Sequence, residues 1–259
     1  MLGLPIGCNN EIHAANILGV QVHVATMEQS LDRVDEALQQ GRCLRVITAN
    51  PEMIVRAEKE EGLREIIRQA DLVVPDGEGV VWAARFLGWD MTERVTGVDL
   101  TQRFLEKAHT YGWRVFFLGG KPGVADEAAR KVREDFAGLE VEAHHGFFGH
   151  CTQEDREDHD NEEGIVARIR EFNPHILLAG MGVPYQEYWL SRYPDLARVS
   201  MGVGGTFDVL SGQVKRAPQW VRRVRLEWFY RVLQDPRRVK RQLRLAVYVM
   251  KVIGQRIKG

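Results

Sequence analysis

Short apolar, β-branched runs alternate along this 259-residue chain with longer stretches of helical periodicity, and this alternation constrains the fold more than any other feature. Segments that alternate in this way build a mostly parallel sheet with helices on both faces. The sequence therefore predicts an α/β domain. The predicted strands are 16–25, 44–50, 72–77, 114–120, 139–146, 175–182 and 198–205. The predicted helices are 27–40, 52–69, 78–88, 99–111, 123–136, 153–172 and 185–193.

The carboxyl ends of the predicted strands carry small and polar residues. Ligands of parallel sheets bind beyond this edge, where glycines let a ligand approach the backbone. Asp76, in VVPDGEGVVW, belongs to this set, so the sequence favours a place in a site over a place in a surface turn. The other members are Thr48, Asn50, Gly77, Gly119, Gly120, Gly180, Gly182, Gly202, Gly204 and Gly205.

The GGKPG segment at 119–123 lies between a predicted strand and a predicted helix. Its amide N–H groups could therefore cradle a phosphate. Its spacing matches neither G-x-G-x-x-G nor G-x-x-x-x-G-K-[ST], and glycines at strand ends also form ordinary turns. Both interpretations stay open on the sequence.

Charge is divided unevenly along the chain. From Lys215 to Gly259 there are 14 Lys or Arg against two acidic residues, a net charge of +12, while the remainder has 21 basic against 34 acidic residues, or −13. A basic segment of this kind is typical of proteins that bind anionic lipid, nucleic acid or phosphate. The sequence predicts an N-terminal extension (1–15), a main domain (16–212) and a basic C-terminal appendage (213–259).

The end of the appendage has the pattern of an amphipathic helix. At 100° per residue, its apolar side chains fall within about 80° of one another, with cations roughly opposite. This pattern is typical of a helix that lies in an anionic membrane surface, and also of a helix packed on its own domain. Nucleic acid is not expected as a partner, because no helix-turn-helix, RRM or zinc-finger pattern accompanies the charge. The apolar set is Val239, Leu243, Ala246, Met250, Ile253 and Ile257, and the basic set is Lys240, Arg241, Arg244, Lys251 and Lys258.

Several other features argue against disulfides, a membrane span and a metal centre. Cys8, Cys43 and Cys151 are odd in number and far apart, which fits a reducing cytosol. The N-terminus lacks a signal-peptide pattern, and no window approaches the roughly 18 apolar residues of a spanning helix. The HHGFFGHC cluster (144–151) lacks a second ligand cluster, and DHD (158–160) lies in an acidic run typical of a solvated helix start. We therefore expect a cytoplasmic protein without a metal or other cofactor.

Six longer segments resemble the WecG/TagA/CpsF family of bacterial glycosyltransferases, in the family's order and over nearly the whole chain. The resemblance implies a Rossmann-like core that transfers N-acetylmannosamine or its uronic acid from a UDP-sugar to a polyprenyl-diphosphate-linked N-acetylglucosamine. It also implies an inverting, metal-independent reaction and peripheral attachment to the inner face of the cell membrane. Family members are thought to exchange a self-associated form, a homo-oligomer, for an active form in which the appendage is free, so the sequence leaves the oligomeric state open. The segments are ITANPEMIVRA (47–57), ADLVVPDGEGVVWAARFLG (70–88), RVTGVDL (94–100), FFLGG (116–120), GMGVPYQEYWL (180–190) and GVGGTFDVLSGQVKRAPQWVRRVRLEWFYRVLQDPRR (202–238).

The resemblance also implies roles for individual residues. Asp76 matches the family's general base, and Thr48 and Asn50 match pocket residues near it. Arg94 matches a substrate-binding arginine, and Gln186 matches a glutamine of the nucleotide-sugar pocket. The candidates for tail arginines that reach the diphosphate are Arg216, Arg222, Arg223 and Arg225.

Each of these residues also has a plainer structural interpretation. Asp76 could cap the helix that follows it, and Thr48 and Asn50 could cap the helix that begins near residue 52. Arg94 could form a structural ion pair, and Gln186 could lie at a solvated helix start.

An inverting transfer is a single displacement, in which the acceptor hydroxyl attacks the anomeric carbon opposite the departing UDP. It needs a base for the hydroxyl proton and groups that stabilise the diphosphate. Asp76 lies behind the apolar run 72–74 and suits the base, because apolar surroundings raise the pKa of a carboxylate toward neutrality. Tail arginines and glycine-loop amides suit the leaving group. The alternative is a non-catalytic UDP-sugar-binding subunit of a polysaccharide assembly complex.

Overall fold

The computed structural model describes residues 12–146, 162–218, 221, 230 and 239–258, and in the last range it describes side chains from Arg244 onward. The strands are β1 (Ala14–Ile17), β2 (Val20–His23), β3 (Leu44–Ala49), β4 (Leu72–Pro75), β5 (Val115–Gly119), β6 (Val141–His144), β7 (Ile176–Gly180) and β8 (Val199–Gly202). The helices are α1 (Met27–Gln39), α2 (Pro51–Ala57), α3 (Glu61–Arg68), α4 (Glu78–Phe86), α5 (Gly97–Tyr111), α6 (Val124–Asp135), α7 (Glu162–Phe172), α8 (Tyr185–Arg192), α9 (Thr206–Leu210) and α10 (Val239–Lys258).

Strands β3 to β8 form one sheet in the order β4-β3-β8-β7-β5-β6, and every neighbouring pair is parallel. This arrangement confirms the predicted α/β class and parallel sheet. β5 is buried along its whole length, as a strand covered on both faces must be. Because all of these strands point the same way, their carboxyl ends share one edge of the sheet.

The helices lie on the two faces of this sheet, and each face has its own apolar core. α1, α5, α6 and α9 pack on one face around Phe104, Phe117 and Phe207. α2, α3, α4 and α10 pack on the other face around Met53 and Tyr248, and α7 and α8 cover that face over β5 and β7. Alternate residues of β5 enter the two cores, because successive side chains of a strand point to opposite faces.

The predicted strand over 16–25 is wrong, because this segment belongs to a hairpin. β1 and β2 pair antiparallel across a turn at Leu18 and Gly19, where φ is 51° and 85°. His23 Nδ1 accepts a hydrogen bond from the Val73 N–H at 2.8 Å, which attaches the hairpin to β4.

The helix predicted over 52–69 is also wrong in one respect, because it divides into α2 and α3. The break falls in the charged sequence EKEE at 58–61, which offers no apolar side chain to the core. After the break, α3 buries Leu63, Ile66 and Ile67.

One face of α10 packs on the domain. Tyr248 and Val252 are fully buried in the core formed with α2, α4 and the hairpin, and the Tyr248 hydroxyl donates to the Gly79 carbonyl at 3.3 Å. Gln255 accepts from the Leu18 N–H at 2.8 Å and donates to the Asn16 carbonyl at 2.9 Å. The last helix is thereby attached to the first hairpin.

The opposite face of α10 leaves apolar side chains in solvent. Met250 is 73% exposed and Ile257 is 79% exposed, and Ala246 and Ile253 are exposed as well. The predicted apolar stripe is therefore not the packed face. Two of the predicted cations instead lie on the packed side, where Arg244 pairs with Glu52 and Lys251 pairs with Glu58. The side chains of Val239, Lys240, Arg241 and Leu243 lie outside the described residues. Within the described ranges, no helix combines the length and the apolar character that crossing a bilayer requires.

Candidate active site

Asp76 lies at the carboxyl edge of the sheet, directly after β4. Its N–H donates to the Ala49 carbonyl at 2.8 Å, so the parallel pairing of β3 and β4 continues up to this residue. Its side chain is half-buried. The sequence-predicted carboxylate is thus fixed beside the end of β3.

The Asp76 carboxylate faces the beginning of α5. The Gly97 N–H donates to Asp76 Oδ2 at 3.5 Å, and a methyl group on Gly97 would lie 3.9 Å from that oxygen and 3.5 Å from Thr48 Cγ2. Residues from β3, β4 and α5 therefore converge here, and glycine leaves room between them. The N-terminus of α5, which is the positive end of its helix dipole, therefore faces this carboxylate.

The structure does not support Asp76 as the cap of the following helix. Gly77 occupies the N-cap of α4 with a φ of 123°. This N-cap has no side chain of its own and makes no side-chain capping hydrogen bond. The capping interpretation of Asp76 is therefore wrong.

Thr48 and Asn50 have different structural partners. The Thr48 hydroxyl is buried and donates to the Gly202 carbonyl at 3.0 Å, which joins β3 to the end of β8. Asn50 Oδ1 accepts from the Met53 N–H at 3.0 Å and caps α2, with Pro51 as its first residue. The capping interpretation is confirmed for Asn50 and is wrong for Thr48.

Arg94 lies next to the end of β4. The neighbouring Val95 N–H donates to the Pro75 carbonyl at 3.0 Å, which holds this segment beside Asp76. Arg94 Nε is 3.9 Å from Glu78 Oε1 in the first turn of α4. This ion pair agrees with the structural interpretation of Arg94, and it also places a cation at the mouth of the site.

Arg216 reaches the same helix end as the Gly97 amide. Its guanidinium donates to Asp99 Oδ1 at 2.6 Å, in the first turn of α5. Thr96 caps this helix by accepting from the Asp99 N–H at 3.1 Å, so α5 begins at Gly97 instead of the predicted 99. The structure therefore brings Arg216, from the basic segment, to the N-terminus of α5, where the Gly97 N–H contacts Asp76. The other tail candidates, Arg222, Arg223 and Arg225, lie outside the described residues.

Gly119 and Gly120 form a close contact between β5 and β7. A side chain on Gly119 would approach the Gly180 carbonyl carbon to 2.5 Å, and the Gly120 N–H already donates to the Gly180 carbonyl at 3.0 Å. Because one of the two amides is already bonded, the geometry favours a turn over a phosphate cradle at these residues.

Gly182 and Gly204 form the edge at the adjacent strands β7 and β8. Both have positive φ (79° and 52°), and a side chain at either would meet no atom within 4 Å, so both face open space. The Gln186 carboxamide oxygen accepts from both of their N–H groups, at 3.0 and 3.1 Å. Gly205 follows as the N-cap of α9. This part of the edge is therefore open to solvent, and the Gln186 side chain holds its two loops together.

Gln186 is only 1% exposed, so its interpretation as part of a solvated helix start is wrong. The neighbouring Glu187 is 3% exposed and was missed in the sequence. Burial raises the pKa of the Glu187 carboxyl to about 7, against the opposing hydrogen bond from Gln186. The helical phase of the apolar Trp189 and Leu190 is the signal that could have placed both polar residues on the buried face of α8.

The predicted metal candidates are only partly described. His144 and His145 lie at the end of β6 with ring centroids 4.3 Å apart and ring planes tilted by 40°. In the part of the chain that the structure describes, no group of three His, Cys, Asp or Glu side chains is arranged to hold a metal ion. Residues 147–161, which contain His150, Cys151, DHD and the start of the predicted helix 153–172, lie outside it.

The chain matches a known family and named relatives. The sequence model of the glycosyl transferase WecG/TagA/CpsF family matches residues 15–259. Relatives from Staphylococcus aureus strains MW2, MRSA252 and NCTC 8325 / PS 47 are each 34% identical to it over 241 residues, which cover 92% of this chain and 91% of each relative. Each relative is named N-acetylglucosaminyldiphosphoundecaprenol N-acetyl-beta-D-mannosaminyltransferase. These matches confirm the resemblance seen in the sequence, and the chain belongs to the WecG/TagA/CpsF family of glycosyl transferases.

Proposed function

We propose that this chain transfers N-acetylmannosamine, or a closely related sugar, from a UDP-sugar to polyprenyl-diphosphate-linked N-acetylglucosamine. The sugar and the acceptor follow the names of the relatives. The observation that carries the proposal is the position of Asp76, a half-buried carboxylate at the ligand-binding edge of a parallel sheet that also carries the open Gly182 and Gly204 loops.

Asp76 would act as the general base in a single, inverting displacement. Its carboxylate would take the proton of the acceptor hydroxyl as that oxygen attacks the anomeric carbon. The Gly97 N–H donates to Oδ2 of this carboxylate at 3.5 Å and helps to hold it at the start of α5. General-base assistance of this kind typically contributes about 10²–10⁴ in rate.

The departing UDP carries negative charge, so it needs donors that are in place before the reaction. Arg216 supplies a guanidinium at the start of α5, where Asp99 fixes its orientation. The Gly182 and Gly204 N–H groups are already bonded to Gln186, so these loops would offer the UDP-sugar open space beside the backbone and not amide donors. Thr48 links the two halves of the site through its bond to the Gly202 carbonyl.

The acceptor is a lipid, and we also propose that α10 places the enzyme on the inner face of the cell membrane. The support is the exposed apolar stripe of α10 opposite its packed face. α4, which contacts α10, leaves Trp82 and Phe86 more than a third exposed as well. Apolar and aromatic side chains of this kind enter the interfacial region of a bilayer.

The activity test measures transfer from UDP-N-acetylmannosamine to a short-chain lipid-diphosphate-linked N-acetylglucosamine. We expect product with the wild type and a loss of about 10²–10⁴ in kcat for Asp76→Asn, which keeps the size of the side chain. Equal activity in a folded Asp76→Asn protein would remove Asp76 as the base. UDP binding by the wild type without transfer to any lipid-linked acceptor would favour the non-catalytic subunit instead.

The membrane test measures sedimentation with vesicles that contain anionic lipid. We expect the double substitution Met250→Glu and Ile257→Glu to lower the bound fraction by at least about tenfold, because it charges the exposed stripe and spares the packed face. The matched control is Tyr111→Glu, at a 61% exposed aromatic residue that ends α5. If both proteins sediment like the wild type, α10 is not the membrane-binding element.

A further inference from the structure

The buried pair Gln186 and Glu187 forms a connected set of hydrogen bonds beneath the open glycine loops. The Gln186 carboxamide oxygen accepts from the Gly182 and Gly204 N–H groups, and its nitrogen donates to Glu187 Oε1 at 2.8 Å. Gly182 follows β7 and Gly204 follows β8, which are neighbours in the sheet. One side chain therefore ties together two adjacent loops.

This arrangement works in only one orientation of the Gln186 carboxamide. If the group turned by 180°, its NH₂ would face two N–H donors and its oxygen would face the Glu187 carboxylate. Glu187 Oε1 accepts this bond whether the carboxyl is ionised or carries a proton on Oε2, so Glu187 selects the orientation in which the amide oxygen faces the loops.

The end of β8 provides the space for this pair. A side chain on Gly202 would clash with the Gln186 carboxamide nitrogen and would lie 3.0 Å from Glu187 Oε1. The second Glu187 oxygen, Oε2, is buried and has no hydrogen-bond partner among the described residues. A buried carboxylate with one oxygen unused is costly, whereas an apolar side chain would fill this space without that cost. What the carboxylate adds is an acceptor for the Gln186 amide.

We propose that Glu187 is a positioning residue, which orients the Gln186 carboxamide and thereby fixes the Gly182 and Gly204 loops in the conformation that receives the UDP-sugar. Glu187 does not touch the substrate and acts through Gln186. The role of these loops as the donor site rests on the proposed function, whereas their attachment to Gln186 and Glu187 does not.

The test has one readout that is independent of activity and one that depends on it. The first is amide hydrogen exchange at Gly182 and Gly204 in the full-length protein. The second is kcat and KM for UDP-N-acetylmannosamine. Glu187→Met removes the acceptor at similar length, Glu187→Asp withdraws it by one methylene, and Glu187→Gln keeps a side-chain oxygen in reach of the Gln186 amide.

We expect Glu187→Met to speed exchange at both glycines by at least about tenfold and to lower kcat/KM for the donor by about 10–100-fold, since small displacements of positioning groups have effects of this size. Glu187→Asp should also speed amide hydrogen exchange at Gly182 and Gly204. This variant replaces Glu187→Met in the test if the methionine protein does not fold. Glu187→Gln should recover most of both losses. The matched control is Ser30→Ala, which removes the buried hydrogen bond to the Thr26 carbonyl in α1 and should change neither readout.

A double-substitution cycle separates positioning from general destabilisation. If Glu187 acts through Gln186, adding Glu187→Met to a Gln186→Met protein lowers kcat/KM no further. Losses that multiply in the double variant would overturn the proposal. It would also be overturned by unchanged exchange in both Glu187→Met and Glu187→Asp, or by a Glu187→Gln protein as impaired as Glu187→Met. If the wild type shows no transfer with any UDP-sugar, the proposed function fails and the exchange result still decides the role of Glu187.

Discussion

Replacing Glu187 by Gln should change how the stability of the protein depends on pH. Burial raises the pKa of this carboxyl from the 4.5 of a solvated glutamate to about 7, while Gln186 and Arg56 act in the opposite direction. Between these two values the folded protein keeps a proton that the unfolded chain has released. The folded state is therefore favoured below pH 4.5, and this contribution is lost as the pH rises through 7.

The size of the effect follows from the shift. One pKa unit corresponds to about 1.4 kcal/mol, so the contribution of Glu187 to the free energy of unfolding falls by about 2–3 kcal/mol between pH 5 and pH 8. Glutamine does not ionise, so Glu187→Gln lacks this fall. The difference in unfolding free energy between the two proteins should therefore shift by about 2–3 kcal/mol in favour of the variant over this range.

The assay is urea unfolding at pH 5, 6, 7 and 8, followed by the fluorescence of the six tryptophans. Other titrating groups are common to both proteins and cancel in the difference. The control is Glu163→Gln, at an exposed carboxylate of α7, which measures the general effect of removing one acidic group. A difference between wild type and Glu187→Gln that stays constant from pH 5 to pH 8 would refute the argument from burial.

Three further substitutions test the site and the last helix. Thr48→Val removes the hydrogen bond to the Gly202 carbonyl, which links the strand beside Asp76 to the glycine loops. We expect kcat at saturating donor to fall about tenfold. An unchanged kcat would show that this bond is purely structural. Arg216→Ala should lower kcat by about 10²-fold, with Arg216→Lys intermediate, and equal rates would assign the departing diphosphate to other cations. Tyr248→Ala should lower the free energy of unfolding, measured with urea, by about 3–5 kcal/mol, and Tyr248→Phe should lower it by about 1 kcal/mol or less. A loss below about 1 kcal/mol for the alanine variant would contradict the packing of α10.

The sheet and its functional edge could be predicted from the sequence because their signals are local. Buried parallel strands such as β5 are short continuous apolar runs, and the residues after them lie at one edge whatever the strand order is. Asp76 and Thr48 were therefore placed correctly without knowledge of the packing. The hairpin was missed because Leu18 and Gly19 do not form a recognised turn pair such as Asn-Gly.

The parts of the site that the sequence did not predict depend on contacts between distant residues. The bond from Arg216 to Asp99 joins positions 117 apart, and no local pattern indicates it. Gln186 and Glu187 are polar and begin a helix, which ordinarily indicates solvent, yet the packing of α8 on β8 and α3 buries both. The start of α5 was an avoidable error, because Thr96-x-x-Asp99 is a capping pattern that can be read from the sequence.

The two-sided character of α10 has a practical consequence for work with shortened chains. A protein that ends before residue 239 loses Tyr248 and Val252, and so exposes the apolar surface of α2, α4 and the hairpin that they cover. Such a protein exposes a new apolar surface and at the same time loses the exposed apolar stripe of α10. It can then self-associate, or bind vesicles, through the surface that α10 normally covers. Substitutions confined to the exposed stripe of α10 leave its packed face in contact with the domain. Such substitutions therefore test lipid binding without also destabilising the fold.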